Sequence, residues 1–240
     1  MLPVNAIDND SHLYSARFRV SILFGVQLPS MKGNASDRVK GGVKSRFLLA
    51  GEIHMDLRDD LVRHYRWLRQ YGINDSQSGN MSVRDGDRIW ITPTGACADT
   101  LEPHDLVQCH MDGNRGERAS LDAPLHLEVY RHNPQARAVV HSHGAYTVAM
   151  TMNGTDFIPA DFEGQLYFPH VPVITIPYER YVTEAPAKVA ALLAGYRIVI
   201  VRGHGVYACA ESLNLAYKWS CSLELSAKTA FLARQAGTLS

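Results

Sequence analysis

A chain of 240 residues is long enough to form one domain with a full hydrophobic core. Its 24 Lys plus Arg balance its 24 Asp plus Glu, so no global field points to nucleic acid or to an anionic membrane surface. With 46% hydrophobic and 20% charged residues the composition is that of a soluble globular protein, and no apolar run reaches the ~18 residues that span a bilayer. The four cysteines (Cys97, Cys109, Cys209, Cys221) show no CxxC spacing and read as reduced thiols rather than a disulfide framework. A short apolar run, Val20 to Val26, follows Arg17 and Arg19. It is too short for a secretory signal and lacks a small-residue cleavage site, so the expected location is the cytoplasm.

Residues 1–50 mix Asn, Asp, Ser, Gly and Lys and differ from the rest of the chain. They read as a poorly ordered extension, either a docking arm or a stretch upstream of a start at Met31 or Met55. Residues 51–240 form the expected catalytic domain. Leu57, Leu61, Val62, Tyr65 and Leu68 recur at helical spacing and stop before Gly72. Strands are predicted over Asn80 to Val83 and Ile89 to Thr92, joined by the turn Asp85-Gly86-Asp87. A further strand runs from Leu106 to Met111, with Asp112-Gly113-Asn114 as its turn. A helix over Leu125 to Arg131 is stopped by Asn133-Pro134. Next come a strand at Ala138 to Val140, a helix from Tyr146 to Met152, and a strand from Val171 to Ile176. A helix over Ala185 to Leu193, a strand from Arg197 to Val201 and a long amphipathic helix over Ser212 to Arg234 complete the chain. This irregular interleaving predicts an α/β sandwich with a mainly antiparallel sheet.

Chemistry enters with His141-Ser-His143 at the end of one predicted strand and Arg202-Gly-His204-Gly just past another. Residues i and i+2 of a strand share a face, so His141 and His143 emerge side by side. Three neutral imidazoles with an open position are the common build of a catalytic Zn²⁺ site. The alternative is three ordinary histidines at strand ends.

Five short motifs stand in order along the chain: Ser78-Gly79-Asn80-Met-Ser82, Ile91-Thr92-Pro93-Thr94-Gly95, Pro124-Leu-His126, Pro134 to His143, and Gly203-His204-Gly205. Together, over roughly residues 55–236, they resemble the class II aldolase/adducin family. The resemblance implies a three-layer α/β/α sandwich, a homotetramer with active sites between subunits, and a divalent metal on His141, His143 and His204. Zinc is the expected ion, with Mn, Co or Fe as alternatives. It also implies a small, phosphorylated substrate and no nucleic-acid or membrane partner. The implied reaction is C–C cleavage through a metal-stabilised enediolate, an aldolase reaction on a sugar phosphate. Decarboxylation of an oxo-acid phosphate or aromatic acid is the alternative, followed by 4-epimerisation. Adducin-like scaffold members lack the three histidines that this chain carries.

Residue by residue, Ser78, Gly79, Asn80, Thr94, Gly95 and Ser120 match the family's phosphate pocket, where glycines let backbone N–H groups approach an anion. The same residue types also build ordinary turns. Asp122 stands where the aldolases carry a proton-shuttling Glu and the epimerases an Asp; its other reading is a helix N-cap. Glu163 falls where the dehydratases place an acid/base glutamate. Arg202 is either a fork for a substrate carboxylate or phosphate, or a surface residue. Tyr178, Tyr181 and His170 receive no role. The aldolases and epimerases carry a catalytic tyrosine beyond the last helix; none follows Arg234 here, which moves the expectation toward the decarboxylases.

Overall fold

The computed structural model describes residues 56–239, and the reading of residues 1–50 lies outside them. Helix α1 (Leu57–Gln70) begins at Asp56, whose carboxylate accepts the Arg58 backbone N–H. It buries Leu61, Val62, Tyr65 and Leu68, the spacing seen in the sequence. The strands β1 (Asn80–Asp85) and β2 (Arg88–Ile91) form an antiparallel hairpin, and β3 (Val107–His110) adds to β2. Helix α2 (Ala123–His132) carries Pro124 in its first turn, where the missing N–H costs no helical bond. Strand β4 (Ala138–Ser142) leads into the short helices α3 (Ala145–Met150) and α4 (Phe162–Tyr167). Strand β5 (Val173–Ile174), helix α5 (Tyr181–Leu193), strands β6 (Ile198–Val201) and β7 (Gly205–Ala210) and helix α6 (Leu213–Gln235) complete the domain.

Among the described residues the strands make one sheet in the order β3-β2-β1-β4-β7-β6-β5, antiparallel except for the β5–β6 pair. Successive strand residues point to opposite faces, so each strand feeds two cores. Val140, Ile200, Val206 and Ala208 pack with α1 and α6, whereas Val139, Val199, Tyr207 and Cys209 pack with α2 and α5. This is the expected three-layer α/β/α sandwich with a mainly antiparallel sheet.

Three elements depart from the sequence expectation. Strand β7 was not predicted, because its buried run Gly205 to Ala210 comes so directly after the His204 turn. The predicted strand from Val171 to Ile176 shrinks to two residues. Pro172 and Pro177 bracket it, and proline cannot donate to a sheet ladder. Helix α4 was also missed, being only six residues long with Gly164 in its middle.

Candidate metal centre

The sheet itself assembles the centre. His141 of β4 lies directly opposite Asn80 of β1 on one side and Tyr207 of β7 on the other. Directly paired residues share a face, so Asn80, His141 and Tyr207 form a row across three strands, on the side covered by α2 and α5. The Tyr207 ring stacks on His141, with centroids 4.0 Å apart and planes 3° apart. The first turns of both covering helices meet this row. Asp122, at the start of α2, accepts hydrogen bonds from Asn80 Nδ2 and Tyr207 Oη at Oδ2, both at 2.9 Å. Tyr181, the first residue of α5, donates to Asp122 Oδ1 at 2.9 Å, and its hydroxyl oxygen also lies against that of Tyr207; with one proton each, the two phenols cannot donate to the carboxylate and to each other at once.

His143 sits one residue past β4, and His204 lies in the turn between β6 and β7. The three ring centroids are 4.4, 4.8 and 5.2 Å apart, and one nitrogen from each ring falls within 4.8 Å of the others. His141 Nδ1 is 3.0 Å from the Val206 carbonyl, so Nδ1 carries the proton and Nε2 keeps its lone pair. The Nδ1 atoms of His143 and His204 are buried without a hydrogen-bond partner among the described residues. Burial, reinforced by the neighbouring His143, drives the His141 imidazole well below its ordinary value. Burial and then His204 lower His143 to about 4, and burial lowers His204 as well. All three are therefore neutral near pH 7, the form that binds metal, and the donor set fits a divalent ion.

Close backbone approach explains two glycines of the motifs. A Cβ on Gly205 would lie 2.4 Å from the Ser142 carbonyl and 2.8 Å from His143 Cδ2, so only glycine lets the β7 start pass beside the histidine pair. Gly79 has φ +71°, and a Cβ there would meet the His141 carbonyl at 2.5 Å. The chain after His143 is fixed by Glu224 of α6, whose carboxylate accepts the backbone N–H groups of Tyr146 and Thr147 at 2.9 and 3.0 Å. Gly205→Ala is expected to displace His143 and Ser142 and to cost roughly 1–3 kcal/mol of stability, as overpacking does. A thermal midpoint and a metal titration on the same variant check this. An unchanged midpoint would remove the steric account.

One cleft collects most of the residues singled out from the sequence: Gly79, Asn80, Thr94, Gly95, Ser120, Asp122, His141, His143 and His204. Gln77, Pro93, Ala96, Leu121 and Tyr181 complete its lining. No Lys or Arg lines it among the described residues, so an anion there would meet neutral donors and backbone N–H groups. Ser78 stands just outside, its N–H donating at 2.7 Å to Asp75 Oδ1 in a turn. Glu163 is exposed on α4, apart from this lining. Arg202 is turned away as well: its Nε donates to the Met152 carbonyl at 2.6 Å.

The N-cap reading of Asp122 is corrected by the geometry. Asp122 occupies the N-cap position of α2, but its side chain makes no capping bond and points inward instead. Burial works against its charge; His141 when protonated, together with the donors Asn80 and Tyr207, outweighs that and holds the carboxyl below its ordinary value. Behind it, the Ser82 hydroxyl joins His126 Nδ1 and Tyr130 Oη at 2.7 Å each, a second polar cluster on the same face of β1. Sequence reading missed Tyr207 and left Tyr181 without a role. The only signal for Tyr207 was its place three residues after His204, which acquires meaning once β7 is paired with β4.

The chain matches the sequence profile of the Class II Aldolase and Adducin N-terminal domain over residues 59–231. A 3-oxo-tetronate 4-phosphate decarboxylase of Cupriavidus necator is 34% identical over 181 residues, covering 72% of this chain and 82% of the relative. An L-fuculose phosphate aldolase of Methanocaldococcus jannaschii is 29% identical over 158 residues, covering 64% and 84%. Among solved structures, the L-fuculose-1-phosphate aldolase of Thermus thermophilus superposes with a TM-score of 0.69 at 33% identity, covering 75% of this chain and 97% of that one. Aldolases and decarboxylases, the two leading activities expected from the motifs, both stand among these relatives. The chain belongs to the class II aldolase and adducin family, and to its enzymes.

Proposed function

We propose that this protein is a metal-dependent lyase that cleaves a C–C bond in a small phosphorylated oxo or hydroxy-oxo compound, in the first place as a sugar-phosphate aldolase. The observation that carries this reading is the closure of three neutral imidazoles into one cluster beside the anionic Asp122. His141, His143 and His204 hold the ion, and zinc best matches three nitrogen ligands with an open position. When bound, the ion supplies a Lewis acid next to the bond that breaks. Asp122 faces the same space and is the group that moves the substrate's proton. Gly79, Asn80, Thr94, Gly95 and Ser120 form the subsite for the substrate's anionic end, with Ser78 shaping the turn beside it. Glu163 and Arg202 serve this protomer's cleft only through a neighbouring subunit or a change of position. Residues 51–240 are the catalytic domain.

Decarboxylation is the second reading, and the 34% identity to the Cupriavidus necator decarboxylase favours it. There CO₂ replaces the aldehyde as the departing fragment, and the remaining electron pair is stabilised in the same way. The two are separated by offering metal-loaded protein a ketose phosphate and a 3-oxo-tetronate 4-phosphate. Aldehyde from the first supports the aldolase, CO₂ from the second supports the decarboxylase, and turnover of neither overturns the proposal.

The working assembly is a homotetramer in the cytoplasm, serving carbohydrate metabolism. No helix among the described residues is long and apolar enough to cross a membrane. Ile158, Phe162 and Leu166 are 68, 82 and 60% exposed, an apolar patch on and beside α4 that favours a subunit contact. Light scattering at micromolar concentration is expected to give four chains; a monomer would refute the tetramer.

A further inference from the structure

Of the three imidazoles, His143 is the one that the sheet does not hold. His141 lies inside the β4 ladder, with Nδ1 on the Val206 carbonyl and its ring stacked on Tyr207. His204 sits in the tight turn that joins β6 to β7, its backbone N–H on the Val201 carbonyl. His143 stands one residue beyond β4, and its buried Nδ1 meets no partner among the described residues. With no bond on that side of the ring, the imidazole goes where its backbone sends it.

Two side chains fix that backbone. The His143 N–H is donated to Asn74 Oδ1 at 2.8 Å. Just beyond it α3 begins, and the first N–H groups of a helix have no partner within it. A serine or aspartate at the N-cap ordinarily supplies one. The N-cap here is Gly144, which has no side chain to do so. Glu224 takes over from the middle of α6, 78 and 77 residues away along the chain. Its Oε1 accepts the Tyr146 N–H at 2.9 Å, and its Oε2 accepts the Thr147 N–H at 3.0 Å and the Thr147 hydroxyl at 2.7 Å. Gly144 also makes the room for this carboxylate. A Cβ there would collide with Glu224 Oε2, and the three nearest atoms it would meet all belong to Glu224. At φ −52° the Gly144 backbone is open to any residue, so it is the carboxylate that reserves the position for glycine.

Resting on the three-histidine reading of the centre, we propose that Glu224 is a positioning residue for the metal. By holding the start of α3 against α6 it fixes the direction in which the chain leaves β4, and with it the aim of the His143 imidazole at the ion. His141 is braced by the sheet, His204 by its turn, and His143 by α6.

The test is a Co²⁺ titration of the full-length, metal-free protein, read by its d–d absorption, with the thermal midpoint of the metal-free form measured on the same preparations. Glu224→Ala is expected to weaken Co²⁺ binding on the order of 10–100-fold, the scale on which groups behind the ligands act, and to change the absorption spectrum. Glu224→Gln keeps one acceptor oxygen and should lose less. Gly144→Ala should reproduce the Glu224→Ala loss by pushing the carboxylate away. In the double variant the added methyl no longer meets a carboxylate, so the loss should equal that of Glu224→Ala alone rather than the sum of the two. A cap that serves only the fold would lower the midpoint and leave Co²⁺ affinity and spectrum as in wild type; that result in both Glu224 variants overturns the proposal. Summed losses in the double variant overturn it as well. If Glu224→Ala does not fold, Glu224→Gln and Gly144→Ala decide by affinity and spectrum. Retention of full Co²⁺ binding by His143→Ala would instead sink the three-histidine reading on which the proposal rests.

Discussion

His143→Ala is expected to fold, to lose tight metal binding, and with it nearly all turnover. Its ring lies past the end of β4, and what fixes the backbone there is the N–H donated at 2.8 Å to Asn74 Oδ1, which alanine keeps. The ring itself brings a buried Nδ1 that no neighbour among the described residues satisfies, so removing it costs the metal-free fold little. The cost falls on the metal instead. Two imidazoles are one short of the three protein ligands usual in a catalytic site of this kind. Loss of a Lewis acid worth several kcal/mol corresponds to a fall in turnover of roughly 10³-fold or more. Metal content by elemental analysis, thermal midpoint and kcat on one preparation decide the matter. Full metal occupancy with full activity would end the assignment of this centre.

Asp122→Asn is expected to keep metal and fold while lowering kcat by about 10²–10⁴, the usual contribution of a positioned acid or base. The structure changes what this variant costs. As a simple helix cap, asparagine would replace aspartate almost freely. Here the side chain faces inward to Asn80, Tyr181 and Tyr207, and the new amide N–H points at groups that were all donating. Phenol hydroxyls can turn to accept, so the loss of stability should stay near 1–3 kcal/mol rather than unfold the protein. A large fall in kcat with a modest fall in midpoint supports a role in the chemistry. An unchanged kcat would move the acid elsewhere, and Glu163 would be tested next.

The three histidines were legible because their signal is local. Strand alternation pairs His141 with His143, and an apolar run ending at Val201 delivers His204 to the same end of the sheet. The glycines around His204 were legible as a motif, while the reason for Gly205 lay in a carbonyl 63 residues earlier in the chain, that of Ser142. The helices α1 and α6 declared themselves by spacing. Tyr207 did not, because its neighbours are set by strand register: its meaning comes from lying opposite His141, and nothing in the run Gly205 to Ala210 reveals that partner. Tyr181 was hidden for a related reason. The predicted helix began at Ala185, so the residue that opens α5 over the cleft read as loop. Arg202, by contrast, looked like an anion fork in the sequence and is occupied with the Met152 carbonyl.

The donors that meet at Asp122 lie 42, 59 and 85 residues away along the chain. Contacts of such separation carry a loop-closure entropy that must be overcome before they stabilise anything, which places them late in folding. The histidine cage shares their strands, so it closes only when β1, β4 and β7 have come into register. An unfolded chain offers a metal ion at most the local His141–His143 pair, with His204 not yet brought beside it. Bound metal therefore acts on the exit from the native state and not on its formation: it slows unfolding, while the rate of refolding stays that of the metal-free chain.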